Sequence, residues 1–291
     1  MPAGGDAEVG ALAAAVARVT GREAVAAHRV GGGCISAVAR VDLDGGGRVF
    51  AKSGAGLPAG LLAAEARGLA WLGEVPGVAV PRVVAEAPDV LVLDWIEPGA
   101  RTATTDDRLG RRLATLHRAG APGFGADRDG FIGPLPQRNT PGAAGWAEFW
   151  LTHRVAPFAR RAVDAGALDP RAAGLVDRLA ARLPERAGPP EPPARVHGDL
   201  WSGNVHVGAG GEPWLVDPAA YGGHREVDLA MLALFGPLPA ATVAAYGEAH
   251  PLAEGWRDRL ALWQLEPLLV HATLFGGGYG ASALAVLDRY T

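Results

Sequence analysis

Between Val196 and Asp217 the chain reads VHGDLWSGNVHVGAGGEPWLVD, and no other stretch restricts its folding as tightly. A short apolar lead-in runs into a polar loop, in which Asp199 and Asn204 stand five residues apart with Gly203 before the Asn. Val205-His206-Val207 and Trp214-Leu215-Val216 flank Gly208-Ala209-Gly210-Gly211, a turn signal between two short strands. The spacing predicts a hairpin that carries Asp217 back beside Asp199 and Asn204. Together these residues offer one carboxylate able to accept a proton, and an Asn and a second acid able to hold a hard cation by oxygen. His-Gly-Asp alone is a weak signal, since an Asx turn uses the same residue types. The full set, with the hairpin between its members, is far more specific.

Phosphoryl transfer from ATP needs such a set: one group to orient the attacking hydroxyl, and Mg²⁺ ligands to neutralise the phosphates. Asp-x4-Asn, a hairpin and a second Asp match the catalytic and metal loops of protein-kinase-like folds. VHGDLWSGNV, VDPAAYGGHREVDLAM and LFGGGY resemble the fructosamine kinase (ketosamine kinase) family. That family is similar to the aminoglycoside and choline phosphotransferases. The Trp two residues after Asp199, the Pro218-Ala219 after Asp217 and the GHREVDLAM run point to the ketosamine branch. The resemblance covers most of the chain and is thinnest before Val30.

The resemblance implies an α+β, bilobal, protein-kinase-like fold. Residues 1–96 would form a nucleotide-binding lobe, an antiparallel sheet with one main helix. Residues 97–291 would form a mostly helical catalytic and substrate-binding lobe. ATP and Mg²⁺ are the implied cofactors. The implied acceptor is a ketosamine, free or on a glycated protein lysine, phosphorylated on its third hydroxyl; that makes the adduct labile and would remove sugar from glycated amines.

Composition agrees with a soluble enzyme. Of 291 residues 49% are hydrophobic and 20% charged, with a net charge of −4. This leaves no basic footprint for nucleic acid and no attraction to an acidic membrane. A single Cys permits no internal disulfide and suits a reducing compartment. No signal peptide or membrane-length apolar run is evident, so a cytoplasmic protein is expected.

Along the chain, residues 8–19 have helical spacing. Residues 24–30 and 37–43 read as strands flanking a Gly-rich loop, which can bring backbone N–H groups onto phosphates or be an ordinary tight turn. The resemblance assigns the phosphate role to Gly32, Gly33 and Ser36. Cys34 in that loop reads as a small, semi-buried residue; the resemblance adds a redox link between two protomers, so a monomer and a redox-linked dimer are both open. After a turn at residues 44–47, the strand 48–52 ends in Lys52, in a chain whose basic residues are nearly all Arg. The amphipathic helix 61–72 carries Glu65, and the kinase arrangement pairs such a Lys with such a Glu. Residues 81–85 and 90–96 read as strands, and 97–100 as the crossing between lobes. The resemblance places adenine on the backbone of Asp94 and Ile96.

Residues 107–118 form the next predicted helix, with His117 read as a structural His bonded to the backbone of the catalytic loop. Loops as long as 120–145 are often functional; its FGADRDGFIGPLPQRNT run also resembles the family, which implies one wall of the sugar pocket there. Helices are expected over 146–165 and 170–183, with a stiff linker at 184–193. In the helix beginning at His224, Asp228 would hold the catalytic loop by its backbone, and His224 and Arg225 would either reach substrate or pair within the fold. Trp201 would stack on the sugar. Helices 240–249, 256–272 and 281–290 complete the expectation.

Several other functions are weighed. An aminoglycoside- or choline-type kinase would keep the fold and change the acceptor. A protein kinase is disfavoured, because Asp217-Pro218-Ala219 replaces Asp-Phe-Gly and no activation segment follows. A non-catalytic nucleotide-binding pseudokinase is disfavoured by the intact residue set. A metal-dependent hydrolase could use His197, Asp199 and His206, but no further ligand cluster supports it.

Overall fold

The computed structural model describes residues 3–31 and 36–291. Gly32, Gly33 and Cys34 lie outside the described residues. In chain order the first elements are α1 (Ala3–Thr20), β1 (Ala24–Arg29), β2 (Val38–Leu43), β3 (Arg48–Ser53), α2 (Leu61–Gly73), β4 (Val83–Ala87) and β5 (Val90–Asp94). The strands form one antiparallel sheet in the order β1-β2-β3-β5-β4. In β5, Val90 and Val92 pack with Leu12 and Val16 of α1, while Leu91 and Leu93 pack with Leu62 and Leu69 of α2. Successive side chains leave a strand on opposite faces. A strand buried on both faces by two helices therefore reads as the unbroken apolar run VLVL.

The remaining chain is mostly helical: α3 (Thr105–Arg118), β6 (Gly130–Ile132), β7 (Leu135–Gln137), α4 (Trp146–Trp150), α5 (Ala156–Asp164), α6 (Ala172–Arg186), β8 (Ala194–Val196), β9 (Val205–Val207), β10 (Pro213–Leu215), β11 (Tyr221–Gly223), α7 (Glu226–Leu232), α8 (Ala240–Ala249), α9 (Trp256–Trp263), α10 (Leu265–Phe275) and α11 (Tyr279–Tyr290). The catalytic stretch forms the expected hairpin β9–β10, with Leu215 opposite Val205. The α+β class and the antiparallel N-terminal sheet also stand as expected.

Three expected helices differ in their course, each at a proline. Helix 146–165 is interrupted by a π-helical turn at Leu151–Val155. Pro157 has no N–H for the His153 carbonyl, which accepts Arg154 Nη1 at 3.2 Å. Helix 256–272 is two helices meeting at Gln264, because Pro267 offers no N–H to the Trp263 carbonyl. Helix 170–183 runs on through Pro184 to Arg186, which shortens the expected linker.

Candidate active site

β8 delivers the chain into the catalytic loop, and a buried acid holds that loop in place. Asp228, fully buried on α7, accepts the His197 N–H on Oδ2 at 2.7 Å and the Gly198 N–H on Oδ1 at 2.9 Å. His117 Nε2 donates to the same Oδ2 at 3.1 Å, and Tyr246 OH lies 2.8 Å from His117 Nδ1. His117 thus reaches the loop through Asp228 and does not bond its backbone, a correction to the sequence expectation. Burial alone would favour the neutral Asp228 acid; the His117 bond and the neighbouring imidazoles outweigh it and hold the carboxyl below its ordinary range. Gly198 sits at φ +82°, and a Cβ there would lie 2.3 Å from the Ala219 carbonyl. Only glycine fits between the two strands of the site.

The loop then presents its chemistry. Asn204 Nδ2 donates to the Asp199 carbonyl at 2.8 Å and to Asp199 Oδ2 at 3.2 Å. Across the hairpin, Asp217 is the only non-glycine residue with positive φ among the described residues, at +54°. That left-handed conformation turns its carboxylate toward β3. Lys52 Nζ donates to both Glu65 oxygens at 2.8 Å and to Asp217 Oδ1 at 2.7 Å. Lys52 is the only lysine in the chain, a sequence signal stronger than the general scarcity of lysine. Burial pulls the ammonium pKa down, but Glu65 and Asp217 more than offset it and leave it above the ordinary value. Burial also works against ionisation of Asp217, and Lys52 reverses this, so Asp217 sits low. Asp199 has no such cation: burial, with the Asp217 charge behind it, pushes its carboxyl up to about 7, against the Asn204 bond.

These groups line a cleft of about 910 Å³. Ser36, Asp94 and Ile96 also line it. The Asp94 side chain pairs with Arg82 at 3.1 Å, so only its backbone remains for a ligand. At the other end stand Trp201, Phe131, Phe235, His271 and Tyr279, with Gln137 and Glu266. Trp201 lies over Gly203, where a Cβ would be 2.2 Å from the indole, and meets Phe235 edge-on at 5.9 Å.

His224 is not in this wall, a second correction. It is 3% exposed, packed between Trp146 and Trp263, and its Nδ1 accepts the Glu226 N–H at 3.3 Å. The run GHREVDLAM is an internal ion-pair block. Arg225 pairs with Glu191 at 2.6 Å and Glu226 with Arg259 at 2.6 Å. His197 is likewise internal, its Nε2 2.9 Å from the Val216 carbonyl. Gln137 belongs to the loop expected to form a pocket wall, and Tyr221 to the VDPAAYGGHREVDLAM run, though neither was assigned a role by itself. Sequence reasoning missed Phe235 and Glu266, which carried no motif.

Among the described residues no group of three His, Cys, Asp or Glu could hold a metal. Asn204 and Asp217 offer hard oxygen donors on one side of the cleft. Two such oxygens suit Mg²⁺ held jointly with phosphates, not an all-protein cage.

The family model for fructosamine kinase matches residues 9–291. A Synechocystis sp. protein described as a probable ketoamine kinase is 36% identical over 99% of both chains. The chloroplastic protein-ribulosamine 3-kinase of Arabidopsis thaliana is 33% identical over 90% of this chain and 81% of its own. A crystal structure from Thermobifida fusca, assigned as a fructosamine-3-kinase, superposes with a TM-score of 0.90. It is 45% identical over 97% of this chain and 99% of its own. The chain belongs to the fructosamine kinase family.

Proposed function

We propose that this enzyme transfers the terminal phosphoryl group of ATP to the hydroxyl on carbon 3 of a ketosamine, free or formed on a protein lysine. Residues 1–96 serve as the nucleotide-binding lobe and 97–291 as the catalytic lobe. The observation that carries the assignment is the Lys52–Glu65–Asp217 chain of bonds, set across the cleft from the Asp199–Asn204 pair.

Lys52, oriented by Glu65, binds phosphate oxygens. The backbone at Asp94 and Ile96 faces the nucleotide base, and Ser36 lies at the phosphate end. Asn204 and Asp217 hold Mg²⁺. When bound, the magnesium nucleotide supplies the transferable phosphoryl group with part of its charge neutralised. Asp199 accepts the hydrogen bond of the acceptor hydroxyl and takes its proton as the oxygen–phosphorus bond forms and the bond from that phosphorus to the departing ADP oxygen breaks. With its carboxyl raised to about 7, Asp199 has a proton affinity suited to a base working near neutrality. Trp201 stacks on the sugar. Positioning and charge neutralisation supply most of the rate. A cytoplasmic setting fits the single Cys, and among the described residues no helix is long and apolar enough to cross a membrane.

The test is Mg²⁺-dependent ATP consumption with a ribulosyl-lysine, a fructosyl-lysine, kanamycin, choline and no acceptor. Turnover confined to the ketosamines is expected. Turnover of kanamycin or choline instead would overturn the acceptor and keep the machinery.

A further inference from the structure

Glu266 opens α10, where the break before Pro267 turns it into the acceptor end of the cleft. It is 7% exposed, and only one of its two oxygens is engaged. Gln137 Nε2 donates to Oε1 at 3.2 Å. Arg154 Nε lies 3.3 Å from the same oxygen but is not aligned for a hydrogen bond. The guanidinium is committed elsewhere: to the Arg138 carbonyl at 2.5 Å, to the His153 carbonyl, and to Asn139 Oδ1 at 2.6 Å. Its flat face lies 4.1 Å from the Tyr221 ring centre. The second oxygen, Oε2, has no hydrogen-bond partner among the described residues. Burial outweighs the Arg154 charge and the Gln137 bond and pushes its carboxyl up to about 7. Asp199 and Glu266 line the same cleft.

Resting on the ketosamine reading above, we propose that Glu266 is the group that recognises the acceptor's protonated amine, through the oxygen that neither Gln137 nor Arg154 uses. In a ketosamine the amine nitrogen sits two carbons from carbon 3, which bears the acceptor hydroxyl. An acceptor whose hydroxyl meets Asp199 therefore carries its ammonium deeper or wider in the same pocket. An ammonium supplies a charged donor to the open oxygen; a hydroxyl supplies only a neutral one. Glu266 thereby selects amine-linked ketoses over neutral ones, while Trp201 and Phe235 take the apolar surface of either.

The experiment compares kcat/KM for a 1-alkylamino-1-deoxyketose with that for the matching 1-O-alkyl ketose, which has the same hydroxyls and no cation. The wild type should favour the amine by about 10- to 100-fold. In Glu266→Gln the ratio should collapse toward one, through a higher KM for the amine. Glu266→Asp should retain part of the preference. A purely structural Glu266 would change stability in these variants and leave the ratio alone. Retention of the full preference in Glu266→Gln would overturn the inference. Parity in the wild type would do the same, and decides the matter even if the Gln variant does not fold. Wild-type turnover of neither ketose, with Mg-ATP bound, would overturn the ketosamine reading itself.

Discussion

Lys52 makes three bonds to two carboxylates before any ligand arrives, whereas Glu266, in the same cleft, has one neutral donor and a misaligned guanidinium. The nucleotide end is pre-organised: its charges are paired and its backbone is pinned by Asp228. The acceptor end is an aromatic wall with partly exposed rings, Phe235 at 48% and Phe275 at 59%, around an acid with one oxygen unbonded. Every substrate of the chain's nucleotide end has the same phosphates to offer. The acceptor end must choose, and an unbonded carboxylate oxygen is a means of choosing.

The largest effect should come where the two ends meet. Asp199→Asn keeps the Asn204 contacts but cannot take a proton, and should lower kcat by about 10³-fold, within the range of general-base losses. Mg-nucleotide binding should persist, as measured by calorimetry. Full activity in that variant would remove Asp199 from the chemistry.

Lys52→Met should cost about 10²-fold in kcat/KM for ATP, with little change in acceptor KM. Lys52→Arg should not restore it, because a planar guanidinium does not fit between Glu65 and Asp217. Because Lys52 is the only lysine, an amine-reactive ATP analogue should modify one side chain, and ATP should protect it. A rise in acceptor KM equal to that for ATP would mean that the two ends are not separate. Trp201→Ala should show the reverse pattern, about a tenfold rise in acceptor KM from lost stacking area, with ATP KM unmoved.

The asymmetry also explains what could be read from the chain. Lys52, Glu65, Asp199, Asn204 and Asp217 were legible because each is fixed by local spacing: a strand end, a helix position, a loop and a hairpin. Glu266 meets Gln137 across 129 residues, and no local period records such a contact. It faces the cleft only because Pro267 ends the carbonyl ladder of one helix and starts another. Arg154 is similarly placed by a π-turn beside Pro157. His224 was misplaced for a related reason. Polar residues such as His224, Arg225 and Glu226 look like a binding surface in sequence, whereas in the fold Glu191, Arg259 and the rings of Trp146 and Trp263 enclose them.

The smallest effect is on stability, and it separates the two ends most cleanly. Asp199 and Glu266 both have folded carboxyls raised to about 7, against unfolded values near 4, and burial pushes Glu65 in the same direction against its Lys52 bonds. The folded state therefore binds more protons than the unfolded one between those values. Each acid contributes stability that is fully present below pH 4 and lost as pH rises through 7. Apo enzyme should melt at a lower temperature at pH 8 than at pH 5.5. Asp199→Asn and Glu266→Gln should each reduce that slope by a few degrees, neither abolishing it. Asp217 is lowered by Lys52; its contribution is lost only below about pH 4 and leaves this window alone. Ligands should then divide the two acids. Saturating Mg-nucleotide brings a cation to Asn204 and Asp217 beside Asp199, so it should relieve the Asp199 share of the slope and leave the Glu266 share. A cationic ketosamine should relieve the Glu266 share, and its neutral ether should not. If Mg-nucleotide alone flattened the whole profile, the two acids would answer to one ligand, and the cleft would have a single electrostatic end.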